Sequence, residues 1–91
     1  MRLDVFLKTS RLCPRRNVAQ QLCDAGLVLL NGRTAKSAHT VKAGDEIHLR
    51  WRGRLLQVRV ALVPASANVS RADSKQMYEV LREERVEPLA G

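Results

Sequence analysis

The chain has 91 residues, 45% of them apolar, and 16 Lys and Arg against 9 Asp and Glu give it a net charge of +7. At that length one domain buries only about 60–65% of its unfolded surface, which leaves a thin core and no room for a second full domain. No run approaches the roughly 18–20 apolar residues of a membrane span, and Arg2, Asp4 and Lys8 interrupt any secretory h-region, so a cytoplasmic location with no membrane contact is expected.

Leu3, Phe6 and Leu7 fall at i, i+3 and i+4, which predicts a first short helix ending near Ser10. Pro14 suits the first turn of a second helix, where its missing N–H is not needed, and Val18, Ala19, Leu22 and Cys23 repeat the helical spacing. Arg15 and Arg16 then share that first turn, with Gln20 and Gln21 beyond them, and Gly26 is the natural C′ residue. Leu27 to Leu30 is a short apolar run, and Asn31-Gly32 after it is the strongest hairpin signal in the chain, because both central residues of a type I′ turn need positive φ. Arg33 to Lys36 is expected to return antiparallel.

A second turn, KAGDE at 42–46, leads into Ile47, Leu49 and Trp51, which alternate with His48, Arg50 and Arg52 so that one face looks inward and the other is cationic. RGR at 52–54 turns the chain again, and Leu56, Val58, Val60 and Leu62 alternate in a further strand. Pro64 to Ser70 is a small-residue connector, after which Ser70 or Asp73 caps a final helix carrying Met77, Val80 and Leu81 as its apolar stripe. The expected class is α+β: two short N-terminal helices packed on a small antiparallel sheet with hairpins, plus a C-terminal helix. Residues 1–63 would form the domain, and 64–91 the connector and final helix.

Charge is unevenly placed. Residues 1–63 hold 12 Lys and Arg against 4 acids, a net +8, while 64–91 hold 4 against 5, a net −1. A pI near 10.5 points to a polyanionic partner, since clustered cations release counterions on meeting phosphates. Arginine grips a phosphate with a planar fork of donors whose charge persists at any cellular pH. Arg2, Arg11, Arg15 and Arg16 come from neighbouring short elements and are expected to converge on one patch with Lys8, aided by the positive end of the second helix. Arg33 and Lys36 are expected to extend that patch along the hairpin. Asp4, a carboxylate among cations, is expected to orient Arg2 or Arg16 rather than face RNA itself.

Only Phe6, Trp51 and Tyr78 are aromatic, and Phe6 and Trp51 lie on apolar faces as core residues, so folded RNA read by shape and phosphate is favoured over stacked single strands. His39 and His48 are read as surface residues. Cys13 and Cys23 form no C-x-x-C or Cys/His cluster, Cys23 being a core residue and Cys13 a plain loop or helix-end one. No nucleophile has a base at a recognisable spacing, no glycine-rich phosphate loop is present and the acids are scattered, so neither catalysis nor a metal or cofactor is expected.

The order helix, helix, β-hairpin, further strands, with RLD opening the first helix, arginines opening the second, AGLVLLNG after it and VKAGDEI further on, resembles the S4 RNA-binding domain family over residues 1–62. That resemblance implies the small S4-like (alpha-L) fold. It is most similar to the group that binds large ribosomal subunits carrying a stalled peptidyl-tRNA and assists tailing of the nascent chain. The implied partners are 23S rRNA and tRNA on the 50S subunit and a quality-control tailing factor, with a monomer off the ribosome. The residues carried over by motif are Arg2, Asp4 and Arg16, although the Cys-Pro step in LCPRRN departs from the group's pattern and leaves open whether Arg15 or Arg16 takes the principal role. The heat-shock S4 group, also handlers of stalled subunits, is the second choice; it carries a longer basic C-terminal extension, whereas here the last third is net −1. A different class remains: an adaptor whose basic face meets an acidic protein while Met77, Val80 and Leu81 anchor a partner.

Overall fold

The computed structural model describes residues 1–85. Two helices, α1 (Leu3–Thr9) and α2 (Arg16–Asp24), precede strands β1 (Val28–Leu30), β2 (Arg33–Thr34), β3 (Glu46–Trp51) and β4 (Arg54–Val60). A one-turn helix α3 (Arg71–Ser74) and strand β5 (Tyr78–Arg85) follow. The strands form one antiparallel sheet in the order β2-β1-β3-β4-β5, so the α+β class holds.

Local chemistry explains the early elements. Leu3, Phe6 and Leu7 of α1 are wholly buried, against Ala19, Leu22 and Cys23 of α2 and Val28, Leu30, Ile47, Leu49 and Val58 of the sheet. Gly26 ends α2 at φ +74, with its N–H on the Cys23 carbonyl and the Leu27 N–H on the Leu22 carbonyl. That pair of bonds is the Schellman arrangement, and it needs a residue at ease in the left-handed region. α2 itself starts at Arg16, with Arg15 extended at its N-cap, so Pro14 lies before the helix and not in its first turn. The chain is still turning back over α1 at that point: Cys13 is buried and its N–H is held by the Leu7 carbonyl.

The two turns legible in the sequence clasp each other. Asn31 and Gly32 take φ +53 and +83, as the type I′ turn demands. The Asn31 side chain donates to Asp45 at 3.1 Å and accepts from the Glu46 N–H at 2.9 Å, while Asp45 accepts from the Lys42 N–H at 2.9 Å. The return strand is shorter than expected, covering Arg33–Thr34 only. Beyond it the chain leaves the β1 edge and runs beside the N-terminus: Leu3 N–H bonds to His39 O, Asp4 N–H to Ser37 O and Val41 N–H to Met1 O.

The C-terminal third corrects the expected helix. Ser70 caps α3 by accepting from the Asp73 N–H at 3.1 Å, but that helix ends at Ser74 and Tyr78–Arg85 pairs with β4. Val80 faces Val58 and Arg82 faces Gln57, so Leu81 is an extra residue, a β-bulge. The bulge breaks the two-residue alternation and sets the apolar Val80 and Leu81 side by side, and with Met77 just before the strand the spacing imitates a helix stripe. Met77 is buried in the core, which removes it as an anchor for an outside partner. Leu62, expected to face inward in β4, lies past the strand and is exposed.

Candidate nucleic-acid interface

Asp4 sits in the first turn of α1 with none of its side chain exposed. It survives there because every direction is filled by a donor. Oδ1 accepts from Arg2 Nε at 3.1 Å and from the Val5 N–H at 2.8 Å. Oδ2 accepts from Arg2 Nη2 at 3.2 Å, Arg16 Nε at 3.0 Å and Gln20 Nε2 at 2.8 Å. Burial by itself pushes the Asp4 carboxyl up, but the bonds from Gln20, Arg16, Arg2 and Val5 together outweigh it and lower the pKa from 3.8 to about 2.

The Arg2 and Arg16 side chains remain 45% and 50% exposed. One buried acid therefore aims two guanidiniums, each with N–H groups left over for a ligand, and the cluster keeps a net positive charge. Asp4 was expected to orient one of the two; it holds both. Arg16, and not Arg15, is the α2 arginine that reaches it, while Arg15 is exposed at the N-cap, where no side chain caps the helix. The first N–H groups of α2 thus lie open beside the pair.

Gln20 is the residue that sequence reasoning missed. Its signal was present: Gln20 stands four residues after Arg16, so the two share one face of α2, and the face that meets α1 must satisfy Asp4.

Not all the expected cations join this cluster. Arg33 and Lys36 are exposed, and the segment just after Lys36 lies against residues 1–4 through the bonds given above. That places the hairpin exit beside Arg2. Lys8 and Arg11 lie elsewhere: Lys8 is in the last turn of α1, and Arg11, past its end, donates to the Val69 carbonyl at 3.3 Å. α1 is about 10 Å long, so Arg11 stands at the other end of the helix from Asp4.

The thiols carry no chemistry here. Cys13 and Cys23 are free and buried, and burial, with a smaller effect of neighbouring charges, pushes each up to about 11. Both are therefore protonated and unreactive at neutral pH. Among the described residues no group of three potential metal ligands forms, and no helix is long and apolar enough to cross a membrane. Trp51, expected in the core, packs against it while remaining half-buried, with Arg52 over its ring at 4.3 Å.

The low Asp4 pKa has a consequence for stability. Because the folded value lies below the unfolded one, the contribution is complete above pH 4 and is lost as pH falls through 2, amounting to about 2 kcal/mol. Urea melts across that interval are expected to show this loss in the parent chain and not in Asp4→Asn.

Comparison with known proteins agrees with this architecture. The model of the S4 domain matches residues 1–47. A protein named RQC P-site tRNA stabilizing factor from Halalkalibacterium halodurans is 40% identical over 86 residues, covering 94% of this chain and 96% of its own. Its namesake from Streptococcus pneumoniae is 40% identical over 87 residues, covering 96% and 97%. Among solved structures, heat shock protein 15 of Vibrio cholerae superposes with a TM-score of 0.81 at 25% identity, over 88% of this chain and 80% of that one. The solution structure of hypothetical protein HP1423 gives 0.77 at 37% identity, over 92% and 100%. A family match over more than half the chain, and relatives aligned along nearly all of it, place this chain in the S4 domain family, alongside the proteins named RQC P-site tRNA stabilizing factor.

Proposed function

We propose that the protein is a non-catalytic RNA-binding factor of ribosome-associated quality control that acts in the cytoplasm. It steadies the P-site tRNA on a stalled large ribosomal subunit while the nascent chain is tailed. In this reading Arg2 and Arg16, aligned by Asp4, grip phosphates of 23S rRNA or tRNA, and the open start of α2 with Arg15 adds further donors. Arg33 and Lys36 extend the contact along the hairpin.

The observation that carries the reading is the fully buried Asp4 holding two half-exposed guanidiniums side by side. A cation pair fixed by a shared carboxylate presents its donors with less loss of rotamer freedom on binding than free arginines. The names of the full-length relatives support the tRNA and the pathway. The adaptor alternative has lost its helix and one of its three anchors, since Met77 is buried and Val80 and Leu81 lie on an edge strand.

Sedimentation with large subunits tests the reading. The protein is expected to pellet with subunits carrying peptidyl-tRNA at least about tenfold better than with vacant ones, and ribonuclease is expected to release it. A complex that survives digestion would mean that the basic face meets a protein, and the proposal would fall.

A further inference from the structure

The helices cover only part of the sheet. Toward the β3–β4 turn the inner face opens into a groove of about 400 Å³ whose floor is Leu49, Trp51, Leu56 and Val80 and whose rim carries Arg11 and Arg52. Val80 is 50% exposed, an apolar surface left without a partner in the described chain. The single acid in the lining, Glu83, is paired with Arg54. Arg11 and Arg52 therefore leave the groove with a net positive field.

Backbone geometry sets these two arginines apart. Among the described residues only Arg11, Asn31 and Arg52 are non-glycine residues at positive φ, at +66, +53 and +52. Asn31 occupies the first position of the Asn-Gly turn, where asparagine is at home. Arg52 holds the same place in the Arg52-Gly53 turn, and arginine, like Arg11 past the end of α1, takes that conformation at a cost that glycine avoids. Both costly arginines border one groove, and one of them lies over the indole of the chain's only tryptophan.

We propose that this groove is a second RNA-contacting site that takes an unpaired nucleotide, its base stacked on the Trp51–Arg52 pair and its phosphate on Arg11. Unpaired bases are held by stacking on aromatic and guanidinium planes, with cations along the backbone. The site lies at the opposite end of α1 from Asp4, so one RNA surface can be gripped by Arg2 and Arg16 while an extruded or single-stranded nucleotide reaches the groove. This inference rests on the RNA-binding reading above, but it is tested separately.

Trp51 reports on the site directly. Titration of the full chain with hexaadenylate, a short single-stranded RNA, is expected to quench tryptophan emission in a saturable and salt-sensitive way. Arg11→Gly with Arg52→Gly removes both guanidiniums and relieves the left-handed strain, so this variant is expected to fold as well as the parent yet bind hexaadenylate about tenfold or more weakly. Arg2→Ala with Arg16→Ala is expected to keep hexaadenylate binding within about twofold while losing sedimentation with large subunits. Absence of quenching, equal affinity in the glycine variant, or quenching by an acidic apolar peptide in place of the RNA would each overturn the second site. Loss of hexaadenylate binding in the Arg2, Arg16 variant would reduce the two sites to one. The hexaadenylate results do not depend on whether the parent chain sediments with large subunits.

Discussion

Arg2→Ala combined with Arg16→Ala is expected to weaken binding to large ribosomal subunits by roughly a hundredfold or more, since each hydrogen bond to a charged group contributes about 1.5–3 kcal/mol. The substitution also leaves Asp4 buried with only Gln20 and the Val5 N–H as donors. Stripping a buried charge of its partners costs about 3–5 kcal/mol in closed sites. Here the arginines are half-exposed and water reaches the gap, so about 2 kcal/mol is expected. A domain of this size is stable by about 5–10 kcal/mol, so the variant remains folded and its lost affinity is attributable to the missing guanidiniums. Circular dichroism and a urea melt of the same preparation check that condition.

The second large effect runs against simple charge counting. Asp4→Asn removes a negative charge from a face proposed to meet a polyanion, and long-range electrostatics alone would strengthen binding. The geometry predicts the reverse, a loss of about tenfold in affinity together with about 2 kcal/mol of stability. Asparagine offers one acceptor oxygen and an NH₂ where the carboxylate accepted bonds from Arg2, Arg16, Gln20 and Val5. Two guanidiniums with only donors to offer would then converge on a group that also donates, Gln20 could meet the new NH₂ only by turning its own carbonyl inward, and the two arginines would lose their alignment. Affinity measured by filter retention, together with the melting midpoint, distinguishes these outcomes: tighter binding in Asp4→Asn would show that the carboxylate merely repels RNA.

Much of this was readable from local rules. Leu3, Phe6 and Leu7 announced α1, Gly26 announced the end of α2, and Asn31-Gly32 announced the hairpin, each because a single backbone requirement or a single periodicity dominates there. The C-terminal segment was misread because a bulge at Leu81 turned a strand pattern into a helical one, and a bulge is a property of pairing with β4 rather than of the segment itself. Within the site, Arg2 and Asp4 stood out by type and position, whereas the choice between Arg15 and Arg16 stayed open until the start of α2 brought Arg16 to Asp4. The recruitment of Gln20 was not, because it follows from the angle at which α1 meets α2. The separation of Arg11 from that cluster was equally hidden, since a left-handed residue past the end of a helix sends the chain where no sequence spacing reports.

The claim on which the account depends is that Arg2 and Arg16, held by Asp4, contact phosphates. The most direct test is the salt dependence of binding to large subunits for the parent chain and for Arg2→Ala/Arg16→Ala. With four to six phosphates contacted, the slope of log affinity against log salt is expected to be roughly −3 to −5 for the parent, and shallower by about 2 in the variant. An identical slope and affinity in a folded variant would contradict the account.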